Sequence, residues 1–220
     1  MLLLASCGSA DKSIKKGDAA LALGEYAEAA GQYKRAYSQT PPKERTKRGA
    51  IAYKMADAYS RYGNIARAVG AYQNAVRYRY TDTLTYLKLG DALRIQGNYK
   101  AAQTAYQAYL DSFPGDKHAE QAISSCLSAP AEKKKGSAYT VKLFNQFNGS
   151  RADYSPAYMG IDAQQLYFTS TRQQAKGDVS GITATKNGDI FFSKKDEKGK
   201  WKLIEAVEGE VNTDFDEGAC

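Results

Sequence analysis

The chain is poor in the residues from which reaction centres and metal sites are commonly built. Its 220 residues include one histidine, three cysteines and one tryptophan. Cys7, Cys126 and Cys220 are too far apart to indicate a disulfide framework or a set of metal ligands. We expect Cys126 to be a small apolar residue buried in a helix. The single histidine, His118, falls in a predicted helix, and we interpret it as solvent-facing instead of catalytic.

Motifs for nucleophilic and phosphate chemistry are also missing. No serine lies in a nucleophile elbow, and no glycine-rich loop follows a strand to hold phosphate. Asp214, Asp216 and Glu217 cluster, but we interpret them as a polar loop and not as an acid/base pair. No segment from Gly8 to Cys220 is apolar for long enough to span a bilayer. We therefore predict that the protein is not an enzyme and that it uses no cofactor and no metal ion.

Excess positive charge is confined to one part of the chain. Between Asp11 and Leu127, 18 Lys and Arg residues oppose 11 Asp and Glu residues, which accounts for the whole net charge of +7. From Ser128 onward the two counts are equal at 13. The excess favours an acidic partner for the first part. A solvated helix surface rich in lysine and arginine explains it as well, so both interpretations stay open, and we expect no nucleic-acid partner.

A repeat of 34 residues organises the first half. The sequences GEYAEA, GNIARA and GNYKAA begin at Gly24, Gly63 and Gly97, and a tyrosine follows each glycine nine positions later. The first interval is 39 residues because the turn around Pro41 is longer. From Asp11 to Pro114 the chain resembles the tetratricopeptide-repeat family, whose 34-residue unit is a helix-turn-helix. The resemblance implies an α-helical solenoid that binds proteins, and residues 117–127 are predicted to form its capping helix.

The same resemblance places partner binding on the concave face built by the first helix of each repeat. Asp18, Asp57 and Asp91 occupy one equivalent position on these helices, so they could equally set the register through polar contacts. That alternative stays open. The positions that the resemblance implies for partner binding are Tyr53, Asp57, Arg61, Leu87, Asp91 and Arg94.

The second half has the pattern of β-structure. Residues 129–137 are predicted to be a linker, and strands are predicted at 153–158, 165–170, 189–193 and 199–204. Three stretches of the sequence are similar to the WD40-like, TolB-type (PD40) propeller repeat, namely Tyr154–Tyr158, Leu166–Arg172 and Asp189–Phe191. The fold class is therefore α + β multidomain, with residues 138–220 forming about one propeller blade. One blade leaves its edges open, so we expect the sequence to be a fragment of a longer protein.

The amino terminus resembles a bacterial lipobox. Leu4-Ala5-Ser6-Cys7 follows an apolar start and places small residues before a cysteine. The resemblance implies that residues 1–6 are the remnant of a signal peptide and that Cys7 is acylated. Residues 7–128 would then be a lipid-anchored repeat domain, since more than one acyl chain anchors stably in a membrane.

The chain has a lipobox-like start, then tetratricopeptide-like repeats, then a propeller-like segment. This order of segments resembles that of the PorE-like outer-membrane lipoproteins of the Bacteroidetes, which are associated with type IX secretion and gliding. The resemblance implies a non-enzymatic scaffold on the periplasmic side of the outer membrane with envelope proteins as partners. Members continue into an OmpA-type domain that holds peptidoglycan, and that domain is not in this sequence. Two alternatives stay open. One is a carbohydrate or peptidoglycan binder that works through the propeller, and the other is a hydrolase whose catalytic part lies beyond Cys220.

Overall fold

The computed structural model describes residues 5–218 of the chain, with side chains from residue 8 onward. These residues form two compact units. One contains residues 5–138 and 181–183, and the other contains residues 139–180 and 184–218. The first unit is helical and the second contains a β-sheet, so the predicted change from α to β structure is confirmed.

Residues 5–138 form seven helices. Successive helices pack against each other, which pairs them into three hairpins followed by one further helix on the last hairpin. The predicted α-helical solenoid in the first half of the chain is thereby confirmed. The helices are α1 (Ala5–Ala22), α2 (Tyr26–Gln39), α3 (Arg45–Arg61), α4 (Ile65–Arg77), α5 (Leu84–Ile95), α6 (Tyr99–Leu110) and α7 (Lys117–Lys135).

Glycine ends the first helix of every repeat in the same conformation. Gly24, Gly63 and Gly97 have φ of 77°, 84° and 82°, in the left-handed region that side chains with a Cβ rarely adopt. The residue after each glycine donates its N–H to a carbonyl five positions back, at 2.8–2.9 Å. This pattern satisfies carbonyls at the helix end and turns the chain into the second helix. The glycines at the start of the GEYAEA-type motifs are therefore turn residues.

The core of each hairpin is a tyrosine that packs on a small residue. Tyr33, Tyr72 and Tyr106 are completely or almost completely buried. A Cβ added to Gly17 would lie 2.7 Å from the ring of Tyr33, and one added to Gly90 would lie 2.6 Å from the ring of Tyr106. The two helices approach closely because these positions have no side chain. Alanines on the second helices complete this core, and they are Ala29, Ala68 and Ala102.

The helix α7 is longer than the sequence predicts. It continues to Lys135, so most of the segment 129–137, which we predicted to be a linker, is helical. Pro130 lies inside this helix and removes one N–H donor. Alanine, glutamate and lysine around it are strong helix formers and continue the helix through the proline. Gly136, with φ of 77°, follows as its C-cap.

Residues 139–218 contain an antiparallel sheet with the strand order β1-β2-β3-β4. The strands are β1 (Asp153–Met159), β2 (Gln165–Ser170), β3 (Asp189–Lys194) and β4 (Glu205–Ala206). Phe168 and Phe191 point to one face, where they form a buried core with Phe147, Leu166 and Ala175. Four sequential antiparallel strands are the arrangement that the β-pattern predicts.

The predicted strand 199–204 is wrong, because the fourth strand is short and begins at Glu205. The N–H of Lys202 donates to Lys194 O at 2.8 Å, but the register with β3 shifts by one residue between Trp201 and Glu205. Ser193 Oγ donates to Lys202 O at 2.8 Å, and Gln146 Nε2 donates to the carbonyls of Trp201 and Lys202. Trp201 keeps only an isolated bridge to Lys195. Strand pairing therefore resumes at residues 205 and 206.

A buried ion pair fixes the start of the sheet. Asp153 Oδ1 accepts from Arg172 Nη2 at 2.8 Å and from Ser170 Oγ at 2.6 Å, and its Oδ2 accepts from the N–H of Gly149. Burial raises the pKa of Asp153, but these hydrogen bonds outweigh it and hold the pKa below its ordinary value. The ion pair joins β1 to the end of β2.

Substitution of Gly90 tests the tyrosine contact. We expect Gly90→Ala to lower the free energy of unfolding of the helical unit by about 1–3 kcal/mol, because the methyl group displaces the ring of Tyr106. Gly70→Ala is the matched control, since Gly70 lies in α4 with open space around it and alanine is the better helix former. It should stabilise by about 0.5–1 kcal/mol. Denaturant unfolding followed by circular dichroism measures both changes. Equal changes in unfolding free energy for the two variants would contradict the prediction that a methyl group at residue 90 displaces the ring of Tyr106.

Candidate functional site

The first helices of the repeats, α1, α3 and α5, carry a row of charged residues that we call the first-helix face. Each of these helices contains the pattern Lys-x-x-Asp. The three copies are Lys15-Lys16-Gly17-Asp18, Lys54-Met55-Ala56-Asp57 and Lys88-Leu89-Gly90-Asp91. A spacing of three residues places the lysine and the aspartate on the same side of a helix. The face is therefore lined by both signs of charge.

Within a repeat, the buried tyrosine reaches this face with its hydroxyl group. Tyr33 donates to Asp18 Oδ1 at 2.7 Å, and Tyr106 donates to Asp91 Oδ1 at 2.8 Å. Burial, followed by the neighbouring carboxylate, raises the pKa of both phenols strongly, so the tyrosines remain neutral donors. These aspartates hold the two helices of a repeat together, which is the structural role that the sequence left open.

Between repeats, the lysine of one first helix pairs with the aspartate of the preceding one. Lys54 Nζ lies 2.7 Å from Asp18 Oδ1, and Lys88 Nζ lies 2.5 Å from Asp57 Oδ1. In α7, His118 Nε2 lies 3.4 Å from Asp91 Oδ1. We call the two lysine–aspartate contacts the interrepeat ion pairs. They connect consecutive repeats in one direction along the array.

Asp57 is the most enclosed carboxylate of the row. Burial raises its pKa, but hydrogen bonds from Lys88 and Arg61 outweigh burial and hold the pKa below its ordinary value of 3.8. Its side chain is 16% exposed, whereas that of Arg61 is 50% exposed. The carboxylate is thus covered by the two cations, and it is the cations that face solvent.

The six predicted partner-binding residues differ in what they contact. Arg61 donates to Asp57 at 2.8 Å and lies over the ring of Tyr26 at 5.5 Å. Tyr53 packs edge-on against Tyr72 at 6.1 Å. Tyr53, Asp57 and Arg61 all lie in α3, the first helix of the middle repeat.

The remaining three predicted residues lie one repeat further along the array. Arg94 Nε donates to the hydroxyl of Tyr106 at 3.2 Å, and Arg94 Nη2 lies 3.9 Å from Asp91. Leu87 is half-buried and packs against the hydrophobic core. Leu87 therefore has a packing role, whereas Arg94 and Asp91 contribute to the charged row.

Sequence reasoning missed the lysines of this face and also Tyr80, which lies between α4 and α5 and packs against Tyr53. Lys88 Nζ lies 5.1 Å from the ring centre of Tyr53, and the rings of Tyr53 and Tyr80 are 5.0 Å apart. Lys54 and Lys88 are 34 residues apart, as are Asp57 and Asp91. The repeated Lys-x-x-Asp pattern was therefore a signal that could have identified them.

The other titratable clusters serve packing. Asp216 Oδ1 accepts from the N–H of Gly188 at 2.6 Å, and Thr213 Oγ1 donates to Glu217.

Cys126 is free and completely buried in α7, as predicted. Within residues 5–218, no group of three or more histidine, cysteine, aspartate or glutamate residues is placed to hold a metal ion. The described part of the chain also has no helix long and apolar enough to cross a membrane.

Comparison with known families agrees with the geometry of the helical unit. The sequence profile of the family described as tetratricopeptide repeat matches residues 13–44 and 53–117. The matched segments cover most of the three hairpins and end at the start of α7. The helical unit is therefore similar in sequence to tetratricopeptide repeats. Tetratricopeptide domains mediate protein–protein interactions and are typically not enzymes. No curated protein sequence matches the chain.

Solved structures similar to the chain are tetratricopeptide domains. The myosin chaperone UNC-45 from C. elegans, in complex with an Hsp90 peptide, is 20% identical, with 58% of this chain and 14% of that chain covered and a TM-score of 0.50. The first such domain of Spaghetti (RPAP3), bound to the HSP90 peptide SRMEEVD, is 22% identical, with 56% and 94% covered and a TM-score of 0.48. The Sgt2 domain from Aspergillus fumigatus is 22% identical, with 64% and 91% covered and a TM-score of 0.46. At this identity the likeness to UNC-45 shows the fold of the helical unit alone.

The predicted lipidation site lies at the edge of the described residues. The backbone of Cys7 belongs to α1, whereas its side chain and residues 1–4 lie outside what the structure describes. Acylation of Cys7 stays a prediction.

Acid titration tests the interrepeat ion pair at Asp57. A carboxylate whose pKa is lower in the folded state stabilises the fold above its unfolded pKa, and this stabilisation is lost as pH falls through the folded pKa. We therefore expect the difference in unfolding free energy between wild type and Asp57→Asn to shrink as pH is lowered from about 5 to about 2. Asp111→Asn, at an exposed position, controls for the change in net charge. If the difference in unfolding free energy stays constant over this pH range, the pKa of Asp57 is not lowered in the folded state, which would contradict the prediction.

Proposed function

We propose that the protein is a non-enzymatic scaffold whose first-helix face binds an acidic segment of a partner protein. The observation that carries the proposal is the arrangement around Asp57, where two cations cover one carboxylate and face solvent. Arg61 and Lys88 both approach Asp57, at 2.8 and 2.5 Å, so this part of the face carries a net positive charge. An acidic side chain of a partner can pair with either cation without leaving a buried charge uncompensated.

The aromatic residues beside these cations favour a peptide-like ligand. Tyr53, which Lys88 approaches at 5.1 Å, forms a tilted ring pair at 5.0 Å with Tyr80 from the connection between α4 and α5. Rings of this kind supply apolar contact area at low conformational cost, while their hydroxyl groups accept or donate hydrogen bonds. Tetratricopeptide arrays present extended surfaces that suit such ligands.

We further propose that the scaffold works in the bacterial cell envelope. The lipobox-like Leu4-Ala5-Ser6-Cys7 supports an anchor on Cys7 in the outer membrane, on its periplasmic side. The sequences of strands β1 to β3 support the assignment of this sheet as the first blade of a WD40-like propeller that follows the repeats. Together these features support a role in a type IX secretion or gliding assembly of the PorE-like family, with envelope proteins as partners and with peptidoglycan held by an OmpA-type domain beyond Cys220.

The second candidate function is binding of carbohydrate or peptidoglycan through the sheet unit. A hollow of about 280 Å³ in this unit is lined by Phe144, Tyr154, Tyr158 and Phe168. Sugars stack their apolar faces on aromatic rings, so the lining suits a glycan as well as an apolar group.

Neutralising the two cations distinguishes these candidates. We expect Arg61→Gln combined with Lys88→Gln to weaken co-purification of envelope proteins from detergent extracts by about tenfold. Arg35→Gln combined with Lys100→Gln removes the same charge from exposed positions on the second helices and should leave co-purification unchanged. Thermal melting checks that both variants are folded.

The outcomes distinguish the first-helix face from the sheet unit as the binding surface. Retention of the same partners by the Arg61/Lys88 variant would exclude the first-helix face as the binding site. Binding of the wild-type chain to purified sacculi, lost in Tyr158→Ala and kept in the Arg61/Lys88 variant, would favour the second candidate.

A further inference from the structure

The hairpin that joins β1 and β2 carries large apolar side chains at its turn. The N–H of Ala163 donates to Gly160 O at 3.2 Å, which closes a four-residue turn with Ile161 and Asp162 at its centre. Ile161 is fully exposed, and Met159 is 56% exposed. Glycine, proline and short polar residues are the usual choice in such turns. We call Met159 and Ile161 the apolar tip.

The turn between β3 and β4 lies at the same end of the sheet as the apolar tip. Strand β2 is antiparallel to both of its neighbours, and Gln165 pairs with Met159 on one side and with Lys194 on the other. The N–H of Lys195 donates to Gln164 O at 2.9 Å, which continues this pairing toward the two turns. The two turns are therefore neighbours, and the connection from β2 to β3 leaves from the opposite end of the sheet.

This end of the sheet is rich in lysine. Residues 194–202 contain two carboxylates, Asp196 and Glu197, and Asp162 in the first turn is a third. Asp196 is engaged within its own turn, where its Oδ1 accepts from the N–H groups of residues 198 and 200 at 2.9 and 2.8 Å. Five lysines oppose these three carboxylates and leave a net charge of +2, and they are Lys194, Lys195, Lys198, Lys200 and Lys202.

Two aromatic residues with polar groups lie beside the apolar tip and the lysines. The rings of Tyr158 and Trp201 stack at 6.4 Å, and Lys195 Nζ lies 4.9 Å from the ring centre of Trp201. Tryptophan and tyrosine concentrate at the boundary between hydrocarbon and water, because their rings are apolar and their N–H or O–H groups form hydrogen bonds. Lysine extends its ammonium group from the same boundary into water. This end of the sheet thus combines three classes of residue that suit an interfacial membrane contact.

We propose that this end of the sheet binds the surface of an anionic lipid bilayer, with the side chains of Ile161 and Met159 in the outer part of the acyl layer. Tyr158 and Trp201 then lie at the level of the headgroups, and the lysines pair with lipid phosphates. The turn backbone stays in the hydrated headgroup region, because its N–H and C=O groups would lose hydrogen bonds in hydrocarbon. The contact goes beyond the proposed scaffold function and does not depend on acylation of Cys7.

A bilayer is the occupant that the charge and the residue types favour. Exposed apolar patches with polar rims mark protein or membrane contacts. All five cations of residues 194–202 are lysines. Lysine is depleted at protein–protein interfaces, where arginine is enriched, because the planar guanidinium matches a fixed partner. A flexible ammonium group needs no fixed geometry, so a layer of mobile anionic headgroups complements these lysines.

Vesicle binding of the full chain carrying Cys7→Ser, which removes the predicted acylation site, tests the proposal. We expect this chain to co-sediment with vesicles of phosphatidylethanolamine and phosphatidylglycerol, and to bind phosphatidylcholine vesicles about fivefold more weakly or less. Added salt should weaken the binding, since it screens the lysines from the headgroups. Trp201 is the single tryptophan of the chain, so quenching of its emission by brominated lipids reports contact at this end of the sheet.

Single substitutions locate the contact. Ile161→Asp should weaken binding to the anionic vesicles by about tenfold, because it removes apolar area and adds a charge that the headgroups repel. Ile161→Trp keeps a large apolar side chain and should bind like the unsubstituted residue. Val179→Asp is the matched control, since Val179 is 63% exposed in the connection at the opposite end of the sheet and should leave binding unchanged. Thermal melting checks that all three variants are folded.

Absence of binding to the phosphatidylglycerol vesicles would overturn the proposal. Binding that is unchanged in Ile161→Asp, or that leaves the emission of Trp201 unquenched, would also overturn it, because another surface would then hold the lipid. Co-purification of an envelope protein that is lost in Ile161→Asp, together with no vesicle binding by the unsubstituted chain, would assign the apolar tip to a protein partner instead.

Discussion

The helical unit depends on one contact that recurs in each repeat, the packing of a large ring against a position with little or no side chain. Tyr33 and Tyr106 contact Gly17 and Gly90, and the distance leaves no room for a methyl group. Close approach of the two helices exposes the next residue, an aspartate, to the tyrosine hydroxyl. One packing constraint therefore governs both how closely the two helices approach and where the carboxylate meets the tyrosine.

The repeated aspartates thus connect packing with electrostatics. In the middle repeat alanine stands at the position of the glycine, and there Asp57 pairs with Lys88 and Arg61. Asp18 and Asp91 accept a hydrogen bond from a tyrosine hydroxyl, whereas the side-chain hydrogen bonds to Asp57 come from the two cations.

Much of the helical unit could be predicted because its determinants are local. The turn glycines, the buried tyrosines and the alanines recur at fixed spacing, and each has one physical reason for its position. The sheet was less predictable. The strand expected at 199–204 has the right composition, but its register with β3 shifts by one residue after Trp201, so regular pairing is limited to Glu205 and Ala206. The helix through Pro130 similarly depends on the residues around the proline, and no local rule decides between helix and linker there.

The interrepeat ion pairs give the array a direction. Each lysine reaches back to the aspartate of the repeat before it, and the series ends at His118 of the cap. Lys15 occupies the corresponding place in the first repeat, and within the described residues no carboxylate pairs with it. The stack therefore has unlike ends, as a polymer of head-to-tail subunits does. One end is closed by an imidazole, and the other offers a spare ammonium group that an additional unit could engage by the same bond.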